Sequence, residues 1–156
     1  MNLSKTFAKP LPLLACLVTC ALAQEPTKNE RFYKAFIQLS SAFSIKKGLD
    51  NDTSCKSKGY KDFNLDEAIN SIPDSFFEDD DGRLKMKEAF SQISTLMEKR
   101  MPDGRLMYQQ AYQQMLAAYR QSGVIPNTND GHCDVMYLAA TNIFQNAKNN
   151  LRLLGK

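Results

Sequence analysis

Cys55, Cys133 and His132 are the residues of this chain best suited to do chemistry. Two thiols and an imidazole can make a disulfide, a Cys–His nucleophile or part of a metal site. Cys16 and Cys20 complete the cysteine count, but both sit in an apolar N-terminal stretch that reads as a removable leader. An exported protein left with two cysteines most simply bonds them to each other. The Cys55–Cys133 bridge would close a long loop, for which chain entropy gives roughly 4 kcal/mol of stabilisation. A free thiol or a metal pair is disfavoured, because two isolated cysteines and a single histidine make a poor ligand set. The expected disulfide also consumes the neighbour of His132, so His132 reads as a polar helix-start residue rather than a base. The chain has no Gly-x-Ser-x-Gly elbow, no zinc-hydrolase spacing and no Gly-rich phosphate loop. Carboxylate-only chemistry of the glycosidase kind fits the composition, yet no acid pair stands in an apolar setting that would raise one pKa. The expectation is a protein without catalysis, cofactor or metal.

The acidic run Glu78-Asp79-Asp80-Asp81 invites a calcium reading. With Gly82 at the sixth position of an EF-hand loop, Asp79, Asp81 and Glu88 fall on the third, fifth and twelfth. The first position would then be Phe77, which has no oxygen to offer. Acids also gather at helix starts because of the macrodipole. A solvated acidic helix start is the preferred reading. Asp79, Asp80 and Asp81 remain one candidate contact surface, suited to a partner with a basic cleft.

A second candidate surface is the loop Ser122 to Gly131. Val124 and Ile125 form an apolar tip, and Asn127, Asn129 and Asp130 supply hydrogen-bonding groups. The tip can also fold back onto the core as a helix-end contact. Met86, Met97, Met101, Met107 and Met115 could instead line an adaptable groove, although methionine at helical spacing is more often core filler. Tyr108, Tyr112 and Tyr119 beside Gln109, Gln113 and Gln114 suit a half-exposed contact surface.

These candidates must be positioned by helices. The stretch from Asp81 to Tyr119 writes one helix twice, with Asp81-Gly82-Arg83-Leu84 matched by Asp103-Gly104-Arg105-Leu106. In each copy the Asp is placed to cap the helix. Met86, Ala89, Phe90, Ile93, Leu96 and Met97 form one apolar face. Met107, Tyr108, Ala111, Tyr112, Met115, Ala118 and Tyr119 form the other. Met101-Pro102 stops the first copy, so the spacing predicts an antiparallel hairpin of 83–100 and 105–121. Before it, a helix with Phe32, Tyr33, Phe36, Ile37, Ser40 and Phe43 on one face should end near Gly48. Asn64 should cap a short helix, Leu65 to Ser71, closed by Pro73. A last helix from about Asp134 to Leu153 should bury Met136, Ala139, Ala140, Ile143, Ala147, Leu151 and Leu154. No segment shows strand alternation. The fold class is all-α: a single small bundle of four principal helices plus a short helix, with one disulfide.

Residues 1–23 read as a signal peptide and 24–156 as one helical domain. Lys5 and Lys9 precede the apolar run Leu11 to Leu22, and Ala21-Leu22-Ala23 is a small-x-small cleavage site. A membrane span needs about 20 apolar residues, more than this run supplies. Leu13-Leu14-Ala15-Cys16 loosely matches a lipobox, so membrane attachment enters only through lipidation at Cys16. Removing the leader takes Lys5 and Lys9 and no acid from a formal charge of +3, leaving +1. That balance implies no nucleic-acid partner. The expected location is periplasmic or secreted. Asn51-Asp52-Thr53 is a glycosylation sequon that matters only in a eukaryotic secretory route.

Cys133-Asp134-Val135-Met136-Tyr137 resembles the Cys-x-Asp-x-Tyr-like segment before the last helix of small periplasmic immunity proteins (the Rap/Tai type). Those proteins protect bacteria against type VI secretion amidases, and the overall plan of exported helical domain and late cysteine is similar. The chain departs from them in having Ser40-Ser41 where the first helix of that family carries a cysteine, its own arriving at Cys55. The resemblance implies a protein that binds and occludes a secreted cell-wall hydrolase. A carrier or chaperone holding a lipid or peptide between helices is the alternative, and a carboxylate-based hydrolase the third reading. A homodimer is compatible with each.

Overall fold

The computed structural model describes residues 25–79, 81–125 and 130–155. The expected leader with Cys16, and the candidate contacts Asp80, Asn127 and Asn129, lie outside those residues. The described chain is all helix and loop. Its elements are α1 (Lys28–Asn51), α2 (Leu65–Ile69), α3 (Gly82–Met97), α4 (Met107–Gln121) and α5 (Gly131–Arg152), with short 3-10 turns at Lys56–Lys58, Asp74–Phe76 and Leu153–Gly155. None of these helices is long and apolar enough to cross a membrane.

Helix α1 is the axis. Thr27 starts it with a reciprocal cap: the Glu30 N–H donates to the Thr27 hydroxyl at 3.2 Å, and the Thr27 N–H to the Glu30 carboxylate at 2.8 Å. Its main partner is α5, lying antiparallel. Ala35, Leu39 and Ala42 meet Phe144, Ala147 and Leu151 at one end, while Ile45 and Leu49 meet Met136, Ala140 and Cys133 at the other. The buried face therefore differs from the expected one. Tyr33 and Ile37 are 65% and 63% exposed. The small residues Ala35 and Ala42 let α5 approach, and the rings of Phe32, Phe36 and Phe43 pack along the flanks. The helix also does not end at Gly48 but runs three residues further. Gly48 is there for a close approach: a Cβ on it would collide with Tyr112.

The two copies of the repeat form helices, but they do not share one core. Phe90 of α3 packs on Phe36, ring centroids 4.9 Å apart, in the core that holds Leu39, Phe144 and Leu151. Tyr112 and Leu116 of α4 belong to the second core, with Ile45, Leu49 and Met136. Ile93 and Met115 are half-buried as expected, whereas Leu96 and Ala118 face outward. Each copy finds a different stretch of α1, so the hairpin is splayed rather than zipped. The connection is a tight turn in which Met101 and Arg105 pair through their backbones and Gly104 takes φ +81°. Asp103 serves that turn by accepting from the Arg105 N–H and guanidinium, and α4 begins only at Met107. Asp81 precedes α3 without capping it through its side chain.

Two other boundaries follow from local chemistry. Asn64 caps α2, its side-chain oxygen accepting from the Glu67 N–H at 3.3 Å. Arg83, from α3, donates to the carbonyls of Ile69 and Ile72 at 2.7 and 2.9 Å and lies over the Phe77 ring. It thereby satisfies the C-terminal end of α2 that so short a helix cannot satisfy alone.

Candidate functional site

The Cys55–Cys133 disulfide is formed, its Cα atoms 5.4 Å apart and 78 residues apart in sequence. It joins the loop after α1 to the first turn of α5, and both cysteines are buried. Around it the fold gathers a polar cluster that spacing in sequence did not suggest. Asp52, which ends α1, turns its carboxylate back on its own loop. One oxygen accepts from the Ser54 N–H at 3.0 Å and the Ser54 hydroxyl at 2.6 Å, an Asx turn. The other accepts from the Tyr112 hydroxyl at 2.9 Å and from Nε2 of His132 at 2.8 Å. A carboxylate only accepts, so Nε2 carries the proton. The same nitrogen lies 3.3 Å from Cys55 Sγ and 3.9 Å from Cys133 Sγ.

Burial works to raise the Asp52 carboxyl, but the Ser54, His132 and Tyr112 hydrogen bonds together outweigh it and hold the group at about 2. Burial first, and then the Asp52 charge, push the Tyr112 phenol well above its ordinary range. It stays a neutral donor. Asp52 is thus a weak base with both oxygens engaged, and Ser54 donates to Asp52 directly. The three side chains are not strung as nucleophile, base and orienting acid. Their arrangement fastens α1, α4 and α5 together where the disulfide already holds two of them.

Outside this cluster lies a polar cleft of about 380 Å³, with Asp52 and Tyr112 in its wall beside Asn51, Arg105, Gln109 and Gln113. Two of the three glutamines expected at a contact surface, Gln109 and Gln113, line this opening. Asn51 of the sequon is exposed, its amide donating to the Lys47 carbonyl at 2.8 Å.

The other candidate surfaces lie elsewhere. At the end of α4, Gly123 takes φ +70°, and the N–H groups of Gly123 and Val124 return to the carbonyls of Arg120 and Tyr119. The two bonds make a Schellman closure. It separates the two tip residues. Val124 is 54% exposed, while Ile125 packs half-buried against the disulfide core. Asp130 is exposed beside Lys58, 3.0 Å away, whose ammonium draws its carboxyl below the ordinary range. Asp79 pairs with Lys85 at 2.9 Å, and its carboxyl is likewise lowered. Asp81 is exposed at the start of α3. Because the helix begins at Gly82, residues 82–88 wind as helix and no EF-hand loop forms.

A further opening escaped the sequence reading. Between α1 and α3 lies a cavity of about 250 Å³, lined by Phe43, Leu65, Phe90 and Ile93 with Ser40, Ser91 and Ser94. The Ser40 hydroxyl is buried there without a hydrogen-bond partner. A second cavity of about 240 Å³ shares Phe43 and Ser94 and reaches Lys46, Asp50 and Asp62. Of the methionines proposed to line a groove, Met97 reaches this one. Comparison with protein-family models, curated proteins and solved structures finds no match.

Proposed function

We propose that the protein acts as an exported binding module, an immunity protein that occludes a secreted cell-wall hydrolase. The observation that carries this reading is the split of the tip: Val124 stands out in solvent while its neighbour Ile125 packs half-buried against the disulfide core. An apolar side chain on a rigid mount costs little ordering entropy when a cleft receives it. The likeness of Cys133 to Tyr137 to the immunity segment points the same way. The test is peptidoglycan release by a hydrolase encoded beside this gene, with and without the protein. Inhibition should be complete at equimolar protein and weaken at least about tenfold for Val124→Asp. A hydrolase that works undiminished beside excess wild-type protein would end the reading.

The cavity between α1 and α3 favours a second function, carriage of a small apolar ligand. Its aromatic and aliphatic walls offer burial, and the free Ser40 hydroxyl offers one hydrogen bond. Native mass spectrometry of freshly purified protein should then show a bound species that Ile93→Trp expels. A ligand-free spectrum would remove this alternative.

A further inference from the structure

We propose that Cys55, Cys133, His132 and Asp52 form a binding site for a soft divalent cation of the zinc type when the disulfide is reduced. The two sulfurs and a ring nitrogen of His132 all lie within 4.8 Å of one another. Sequence alone offered two cysteines and a histidine, one ligand short. The fold brings a fourth candidate, Asp52, to 2.8 Å from His132 Nε2, though its oxygen stands outside the 4.8 Å group that the other three donors make. Tetrahedral zinc holds nitrogen and oxygen at about 2.0–2.2 Å and sulfur at about 2.3 Å, which places nitrogen about 3.5 Å from each sulfur. The observed 3.3 and 3.9 Å bracket that spacing. Nitrogen and oxygen ligands on the same ion stand about 3.3 Å apart and two sulfurs about 3.8 Å, so on reduction the bonded sulfurs must part and the Asp52 carboxylate must turn from His132 toward them. The donor set of two thiolates, an imidazole and one carboxylate selects zinc-like ions over magnesium or calcium.

The chemistry balances with a phosphine as the reductant. The phosphine takes the oxygen of one water and becomes a phosphine oxide, while the disulfide gains two electrons and two protons and opens to two thiols. The entering cation displaces both thiol protons to solvent. His132 moves its single proton from Nε2 to Nδ1 and gives the freed lone pair to the metal. Tyr112 and Ser54, which already donate to Asp52, then orient the ligating carboxylate from behind. The loop after α1 and the start of α5 are tied in either state, by a covalent bond or by an ion.

The experiment is a Co²⁺ titration of the full chain after reduction by a phosphine, with circular dichroism recorded throughout. Reduced wild type should bind one Co²⁺ and show thiolate charge-transfer absorption with the intense visible bands of tetrahedral cobalt. Zn²⁺ should abolish those bands and raise the melting temperature of the reduced protein only. Asp52→Asn and His132→Gln should each weaken Co²⁺ binding by about tenfold or more, as loss of a ligand or its support does. If reduction unfolds the chain, Co²⁺ should refold it with the same bands. A reduced wild type without tetrahedral bands, folded or not, would overturn the proposal. So would equal bands in the oxidised protein, or an unchanged spectrum and affinity in both variants.

Discussion

A Cβ placed on Gly48 would stand 2.2 Å from Cγ of Tyr112, so α4 lies directly on the backbone of α1. Gly48→Ala should therefore destabilise, although alanine is the better helix former by about 1 kcal/mol. The clash must lift Tyr112, break its hydrogen bond to Asp52 and open the second core. Urea unfolding should show a net loss of about 1–3 kcal/mol. A gain would mean that α4 shifts freely.

Asp52 sets an acid limit. Burial opposes its ionised form, but the bonds from Ser54, His132 and Tyr112 win and hold it at about 2, against an ordinary 3.8. The folded state thus binds this proton less readily than the unfolded one. The resulting stability is fully present above about pH 4 and is lost as the pH falls toward 2. Asp52→Asn should be less stable than wild type at neutral pH, and the gap should narrow as acid is added. A gap that stays constant from neutral pH to the acid limit would refute the assignment.

Cutting the staple should be felt globally. Cys55→Ser or Cys133→Ser should cost about 2–5 kcal/mol, seen as a lower melting temperature in the oxidised protein. Thiol titration of the wild type without reductant should find none free at these two positions.

The first core should feel the loss of Phe90 far more than the loss of Ile37 from the exposed side of α1. Phe90→Ala should cost about 3 kcal/mol, at the low end for a buried ring because the site already borders a cavity. Ile37→Ala, on the exposed side of α1, should change stability by less than about 0.5 kcal/mol. Equal losses at the two sites would contradict the observed burial.

Lys46 is almost wholly buried and spans two carboxylates, Asp50 at 2.8 Å and Asp62 at 2.6 Å. Burial disfavours its charge, but the two acids more than compensate and raise the ammonium above its ordinary range. Lys46→Met should be neutral or stabilising, because a well-packed apolar chain replaces a desolvated ion. Removing both acids together should destabilise instead. The comparison is a double-mutant cycle read by chemical denaturation.

Where a local signal existed, the sequence showed the fold. Asn64 and Pro73 bounded a short helix, and the two cysteines downstream of the N-terminal apolar run implied their bond. The face of α1 was misjudged because large residues were counted as core, when close helix contact is made by Ala35 and Ala42. The repeat implied one shared core because its copies match in sequence, yet identical faces can dock at different places along one long helix. The Asp52 cluster was harder still. Its members sit at 52, 112 and 132, joined by no periodicity, and only the Asp52-Thr53-Ser54 turn carried a local trace. The cavity beside Ser40 is an absence of atoms, which no residue pattern announces.

Helix α3 contributes a single buried residue, Phe90, whereas α5 contributes eight buried residues and a covalent anchor. The free energy of opening must therefore be unequal along the chain. Amide protons of α3 should exchange with solvent well before those of the first turns of α5. In such an excursion α3 swings away from α1, baring Phe36 and the serine-lined hollow, while the bonded half keeps its shape.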